Sequence, residues 1–218
     1  KHTRAALGFS ILAVVRDNPT TLVAGGTTYN HPDGVLYLTQ FTQVAMACLA
    51  VAQVAELRED GLFIDGSYFA GHSVGEYTAL AAISGTLSLE SLLEIVFKRG
   101  LAMHTLVPRD AEGNSNYRLA AIRPSQMGVA DADVADWVAR VSEGSGEFLQ
   151  IVNFNLASVQ YAVAGTMKGL QALQADCEAK APGLRAFILI PGIDVPFHSS
   201  HLLGGVDNFR EHLDDLLP

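Results

Sequence analysis

Gly71-His72-Ser73-Val74-Gly75 sets a serine between two glycines, and this pentapeptide constrains the fold more than any other stretch of the chain. The apolar run GSYFAG leads into it, and the helix-forming run SVGEYTALAAISG leaves it. A strand that turns abruptly into a helix holds its middle residue in a strained backbone conformation with the side chain pushed outward. Side chains two positions away on either side would collide, so glycine is expected at both. The pattern predicts a strand over 66–71, a nucleophile at Ser73, and a helix start that aims the Val74 N–H at a developing oxyanion.

The rest of the chain fits an α/β protein. Residues 5–16 read as a helix, and 16–39 as a loop with short extended pieces. Residues 40–60 read as a long helix, apolar on nearly all sides and therefore buried. A further helix starts at Ser88, which is placed to cap it. From Tyr117 the texture changes to strand, helix, strand, strand, helix, strand. That order is the split βαβ, or ferredoxin-like, arrangement. The chain therefore reads as a small βαββαβ subdomain over 117–190, inserted between core segments 1–116 and 191–218.

Hydrophobic residues make up 49% and charged residues 17%, the balance of a globular chain with a well-filled core. A net charge of −9 excludes the basic footprint that a duplex nucleic-acid partner requires. No uninterrupted apolar run approaches the roughly 18–20 residues of a membrane span. The chain carries 2 cysteines, Cys48 and Cys177, whose spacing matches no disulfide or metal framework. They suit a reducing compartment, and the expected location is cytoplasmic.

A serine hydroxyl needs a base. Of the 7 histidines, His198 is the best placed, on a loop just past the apolar segment FILIPGIDVPF. A loop histidine with a purely structural role is the competing reading. Arg99 continues the apolar stripe of Leu92, Ile95 or Val96, and Met103, while Lys98 points away. A guanidinium on a buried face needs an anion. That anion is either an internal partner such as Glu76 or a substrate carboxylate gripped by the planar fork. Snorkelling to the surface is the third option.

Taken together, GHSVGEYTALAA, FKRG, VNFN and VPFHS resemble the malonyl-CoA:acyl carrier protein transacylases. TQFTQVAM, VPRDAEGNSNY and IRPSQ resemble the malonyl/palmitoyl transferase domain of bacterial and fungal type I fatty acid synthases. The resemblance implies an α/β-hydrolase-like core around the ferredoxin-like insertion. It implies malonyl and palmitoyl transfer between coenzyme A and the phosphopantetheine arm of an acyl carrier protein, through a seryl ester, with no metal and no permanently bound cofactor. Ser73 and His198 would be catalytic, the Val74 N–H an oxyanion donor, and Arg99 the malonyl clamp. Gln43, rather than the nearby Gln40, would line the pocket with Asn155, and Phe197 would limit side-chain bulk. The partners implied are the carrier domain and the other domains of the synthase, with Lys98, Arg109 or Arg123 as basic contacts for an acidic carrier.

Two departures stand out. The family's Gly-Gln-Gly segment, which supplies a second oxyanion donor, is not in this sequence, and the groups that orient the histidine lie beyond Pro218. Asp194, four residues before His198, is a poor substitute for a triad acid. The expectation is that the chain alone transfers acyl groups much more weakly than one extended at both ends, or does not fold stably. A serine hydrolase or thioesterase and a non-catalytic structural segment are the alternatives.

Overall fold

The stretch 5–16 that reads as one helix folds as two. Helix α1 (His2–Ala6) and helix α2 (Ile11–Asp17) are separated by residues 7–10. Ser10 accepts a hydrogen bond from the Ala13 N–H at 3.4 Å and so caps the second helix, and buried Leu7 and Phe9 pin the break to the core. The structure, a computed structural model, describes residues 1–217. Pro218, the last residue of the expected 191–218 segment, lies outside them. The chain divides into two units, one of residues 1–105 with those from 205 on, the other Leu106–Gly204.

In the first unit a hairpin, β1 (Thr21–Ala24) and β2 (Thr27–Asn30), turns at Gly25-Gly26. Helix α3 (Thr39–Glu59) follows. Its buried residues are Thr39, Gln40, Phe41, Gln43, Val44 and Ala47, all within its first turns, whereas Met46, Leu49 and Leu57 are exposed. The expectation of burial on all sides therefore holds only for its start. This helix is also long and apolar enough to cross a membrane by length and composition alone, although no single uninterrupted apolar run is.

Helix α4 (Val74–Ala79) continues into a π-helical turn, Leu80–Ser84. Helix α5 (Leu89–Thr105) is capped as its sequence predicts, with Ser88 Oγ accepting from the Ser91 N–H at 3.0 Å. Phe9, Phe41 and Phe97 pack edge to face or tilted, with centroids 5.0–5.8 Å apart, beside Leu92, Ile95 and Val96.

The strand expected over 66–71 is absent. The segment has no ladder partner among the described residues, Tyr68 is fully exposed, and Phe69 is largely so. A strand is a paired element, and among the described residues the only sheet in this unit is the β1–β2 hairpin.

The second unit holds the expected βαββαβ order: β3 (Tyr117–Ile122), α6 (Asp131–Ser145), β4 (Leu149–Leu156), β5 (Gln160–Thr166), α7 (Met167–Lys180) and β6 (Phe187–Leu189). The four strands form one antiparallel sheet in the order β4-β5-β3-β6, with Ala120 opposite Val163 on one side and Leu189 on the other. Ile122, Tyr161 and Val163 of the sheet pack with Val134, Trp137 and Val138 of α6 and with Leu170, Leu173 and Cys177 of α7. The unit also takes in the loop before β3 and the segment after β6, which the sequence reading assigns to the core. Helix α8 (Val206–Leu216) belongs to the first unit, packing Phe209, Leu213 and Leu216 on its core. Cys48 and Cys177 are free thiols, as expected.

Candidate active site

Ser73 has φ 54° and ψ −115°, one of four non-glycine residues with positive φ among those described. Such backbone costs about 1–3 kcal/mol and persists only where the surroundings enforce it. The enforcing turn is compact. The Gly75 N–H donates to the His72 carbonyl at 2.9 Å and the Glu76 N–H to the Ser73 carbonyl at 3.2 Å. A side chain at Gly71 would fall on the backbone of Gly75 and Glu76, so glycine is required there. At Gly75 an added Cβ meets nothing within 4 Å. The symmetric expectation for the two glycines is therefore corrected: the turn folds back over position 71 and leaves position 75 open.

Arg99 comes to this turn from α5 and is 8% exposed. Its Nη2 donates to Ser73 Oγ at 3.1 Å and its Nη1 to Gln43 Oε1 at 2.7 Å. The amide of Gln43 is itself oriented, because its Nε2 donates to Thr39 Oγ1 at 2.9 Å. The Tyr77 ring lies 5.6 Å from the guanidinium carbon. Burial pulls the guanidinium below its ordinary value, and neighbouring Tyr77 and Glu76 oppose that shift. It remains protonated at any working pH. No carboxylate among the described residues forms an ion pair with it, and both of its hydrogen-bond acceptors are neutral. Of the internal readings of Arg99, the Glu76 ion pair and the snorkelled side chain are both excluded.

The approach of α5 to α3 has a specific cause that the sequence reading missed. A Cβ at Gly100 would sit 2.5 Å from Gln40 Cα, so only glycine lets the two backbones meet there. That contact places Arg99 beside Gln43, one turn further along α3. Gln40 is fully buried, but neither of its amide atoms has a partner among the described residues. The signal that could have found Gly100 was its place immediately after Arg99 on the buried stripe.

Thus Ser73, Arg99 and Gln43 meet within the first unit, with Val74 buried at the first position of α4. The second unit carries the remaining candidates. His198 has a positive φ of 61°, as Ser73 has one of 54°. Phe197 is half-buried before it. Asn155 is exposed on the edge strand β4, at an irregularity in register between Phe154 and Leu156. Asp194 pairs with Arg109, so its carboxylate is already committed. Arg109 is likewise occupied, by Asp194 and by the Gly113 carbonyl at 2.8 Å, which removes it from the basic contacts offered to a carrier. No cluster of three or more metal-ligating side chains is present among the described residues.

The chain matches fungal fatty acid synthases and bacterial transacylases. It is 33% identical to fatty acid synthase 2 of Mycosarcoma maydis over all of this chain and 8% of that protein. It is 34% identical to the fatty acid synthase subunit beta of Saccharomyces cerevisiae over 85% of this chain and 11% of that one. The chain thus spans a small part of these relatives. Its fold superposes on the acyl-carrier-protein S-malonyltransferase of Burkholderia pseudomallei with a TM-score of 0.73 and 31% identity, covering 99% of this chain and 60% of the other. The overall architecture is the mixed α/β fold of those enzymes. Residues 1–174 match the acyl transferase domain, and the chain belongs to that family.

Proposed function

We propose that the chain moves malonyl groups, and palmitoyl groups, between coenzyme A and the phosphopantetheine thiol of an acyl carrier protein, through an ester on Ser73. One observation carries this reading. A buried guanidinium whose hydrogen-bond acceptors among the described residues are neutral oxygens touches the hydroxyl of a serine in a strained turn. A thioesterase has no use for a cation there, whereas a malonyl carboxylate is the anion that two parallel guanidinium N–H groups fit.

In this reading His198 takes the Ser73 proton as Oγ attacks the thioester carbonyl. The Val74 N–H stabilises the oxyanion, and His198 returns the proton to the departing coenzyme A sulfur. The carrier thiol then attacks the seryl ester, losing its proton to His198, and Ser73 leaves with that proton. Arg99 exchanges its hydroxyl contact for the malonyl carboxylate, while Gln43 holds its far side. Phe197 limits bulk beside the carboxylate, and Asn155 lines the wider pocket. No metal or resident cofactor takes part.

The finer architecture is part of the same proposal. An α/β-hydrolase-like core of residues 1–116 and 191–218 is interrupted in sequence by a ferredoxin-like subdomain over 117–190. The β4-β5-β3-β6 sheet with two helices supports the second element. The partners proposed are the carrier domain and neighbouring domains of a type I fatty acid synthase, in the cytoplasm.

The test is to incubate the full chain with malonyl-CoA and locate the adduct by mass spectrometry. A malonyl ester on Ser73 is expected, with its formation slowed by about 10²- to 10⁴-fold in His198→Ala. An adduct elsewhere, or none on the chain extended at both ends, overturns the reading.

A further inference from the structure

His198 has a positive φ of 61°, uncommon for a residue other than glycine. Its local turns are tight. The Phe197 N–H donates to the Val195 carbonyl at 2.9 Å and the Ser199 N–H to the Pro196 carbonyl at 3.2 Å. Val195, Pro196 and Ser199 are buried around it.

Downstream the segment is anchored on β4. Gln150 Oε1 accepts from the Ser200 N–H at 2.9 Å and from its hydroxyl at 3.0 Å. The His201 ring lies 3.9 Å from the Phe148 ring centroid and 5.1 Å from that of Tyr117.

Upstream the charged anchor is Asp194, whose carboxylate meets Arg109 Nη1. Side-chain exposures of 14% for Arg109 and 21% for Asp194 make this a mostly desolvated pair. Arg109 is fixed in turn by the Gly113 carbonyl, inside a loop that Asp110 knits together by accepting from the N–H groups of Asn114 at 2.7 Å and Glu112 at 3.1 Å. Arg109 Nε and Nη2 are buried with no partner among the described residues, so its charge is committed to Asp194 alone.

We propose that Arg109 is a positioning residue for acyl transfer. It holds the His198 imidazole through Asp194 and the 194–198 turn. Asp194 therefore acts on the histidine from behind, through backbone geometry. The proposal rests on the reading of His198 as the base. Removing either charge leaves the other buried and unpaired, a state costly enough to move the turn.

The experiment measures single-turnover acylation of Ser73 by malonyl-CoA across pH in the full chain. It compares wild type with Arg109→Ala, Arg109→Lys, Asp194→Ala, the double alanine variant and His198→Ala. Amide hydrogen exchange over 192–201 is followed in each. Arg109→Ala is expected to slow acylation by about 10- to 100-fold with KM within about twofold, since small misplacements of a reacting group have that effect. The double alanine variant should be no slower than the slower single variant, Arg109→Lys should recover part of the rate, and exchange should quicken only within 192–201. Wild-type acylation in Arg109→Ala, additive losses in the double variant, or unchanged exchange over 192–201 overturns the proposal. Exchange that quickens throughout the second unit also overturns it, because the pair would then hold the whole unit together. Undiminished acylation in His198→Ala would instead sink the functional reading, whatever Arg109 does.

Discussion

Arg99 reaches Ser73 Oγ with one guanidinium nitrogen at 3.1 Å while the other nitrogen holds Gln43 Oε1 at 2.7 Å. One residue thus ties the strained serine to a glutamine on another helix, and in the proposed reading the serine contact is the one that a substrate carboxylate would replace.

Replacement of Arg99 by alanine is expected to lower kcat/KM for malonyl-CoA by about 2–4 kcal/mol, or roughly 30- to 1000-fold. Loading of an uncharged long-chain acyl group should fall far less. Parallel kinetics with malonyl-CoA and palmitoyl-CoA check this, and equal losses on both would discard the clamp.

The two glycines flanking Ser73 should respond oppositely to alanine. Gly71→Ala drives a methyl into the Gly75–Glu76 backbone and should destabilise by about 3 kcal/mol or more. Gly75→Ala enters open space in the first turn of α4, where replacing glycine is worth about 0.5–1 kcal/mol in the stabilising direction. Chemical denaturation of the two variants separates the outcomes.

Gly100→Ala should act on the site from a distance. The added methyl pushes α5 off Gln40, at a cost of about 1–3 kcal/mol, and draws Arg99 away from Gln43. Malonyl loading should fall in this variant even under conditions where circular dichroism shows it folded.

Burial of Cys177, helped by Asp176, pushes its thiol up to about 12. The folded value lies above the ordinary value of 9.0, so the neutral thiol contributes stability that is intact below about pH 9. That contribution is lost as pH rises toward 12, because the unfolded chain releases the proton first. Wild type should lose more stability than Cys177→Ala over this window, as urea titrations at successive pH values would show.

Much of this was legible in the residues. The βαββαβ order was readable because each element there carries its own period and its own turn signal. The buried face of Arg99 was readable from three-to-four spacing along α5. Three features were not. An alanine-rich helix such as α3 gives no sign of which end will be covered, since every face is equally apolar, and its outer half proved exposed. The segment 66–71 has strand composition, but composition does not supply a pairing neighbour. Gly100 looked like an ordinary helix glycine, because the backbone it touches is 60 positions away in the sequence. The resemblance named Gln43 as a pocket residue, but its hydrogen bond with Arg99 was not legible, for the same reason.

The conformation at Ser73 also restricts which nucleophiles the position could ever hold. With φ at 54°, a β-carbon carrying two heavy substituents is a genuine outlier, which rules threonine out on steric grounds before its reactivity is considered. Serine and cysteine each branch only once beyond that carbon. The bend thus selects its own alphabet: a thiol or a short carboxylate passes without rebuilding, and a β-branched hydroxyl does not.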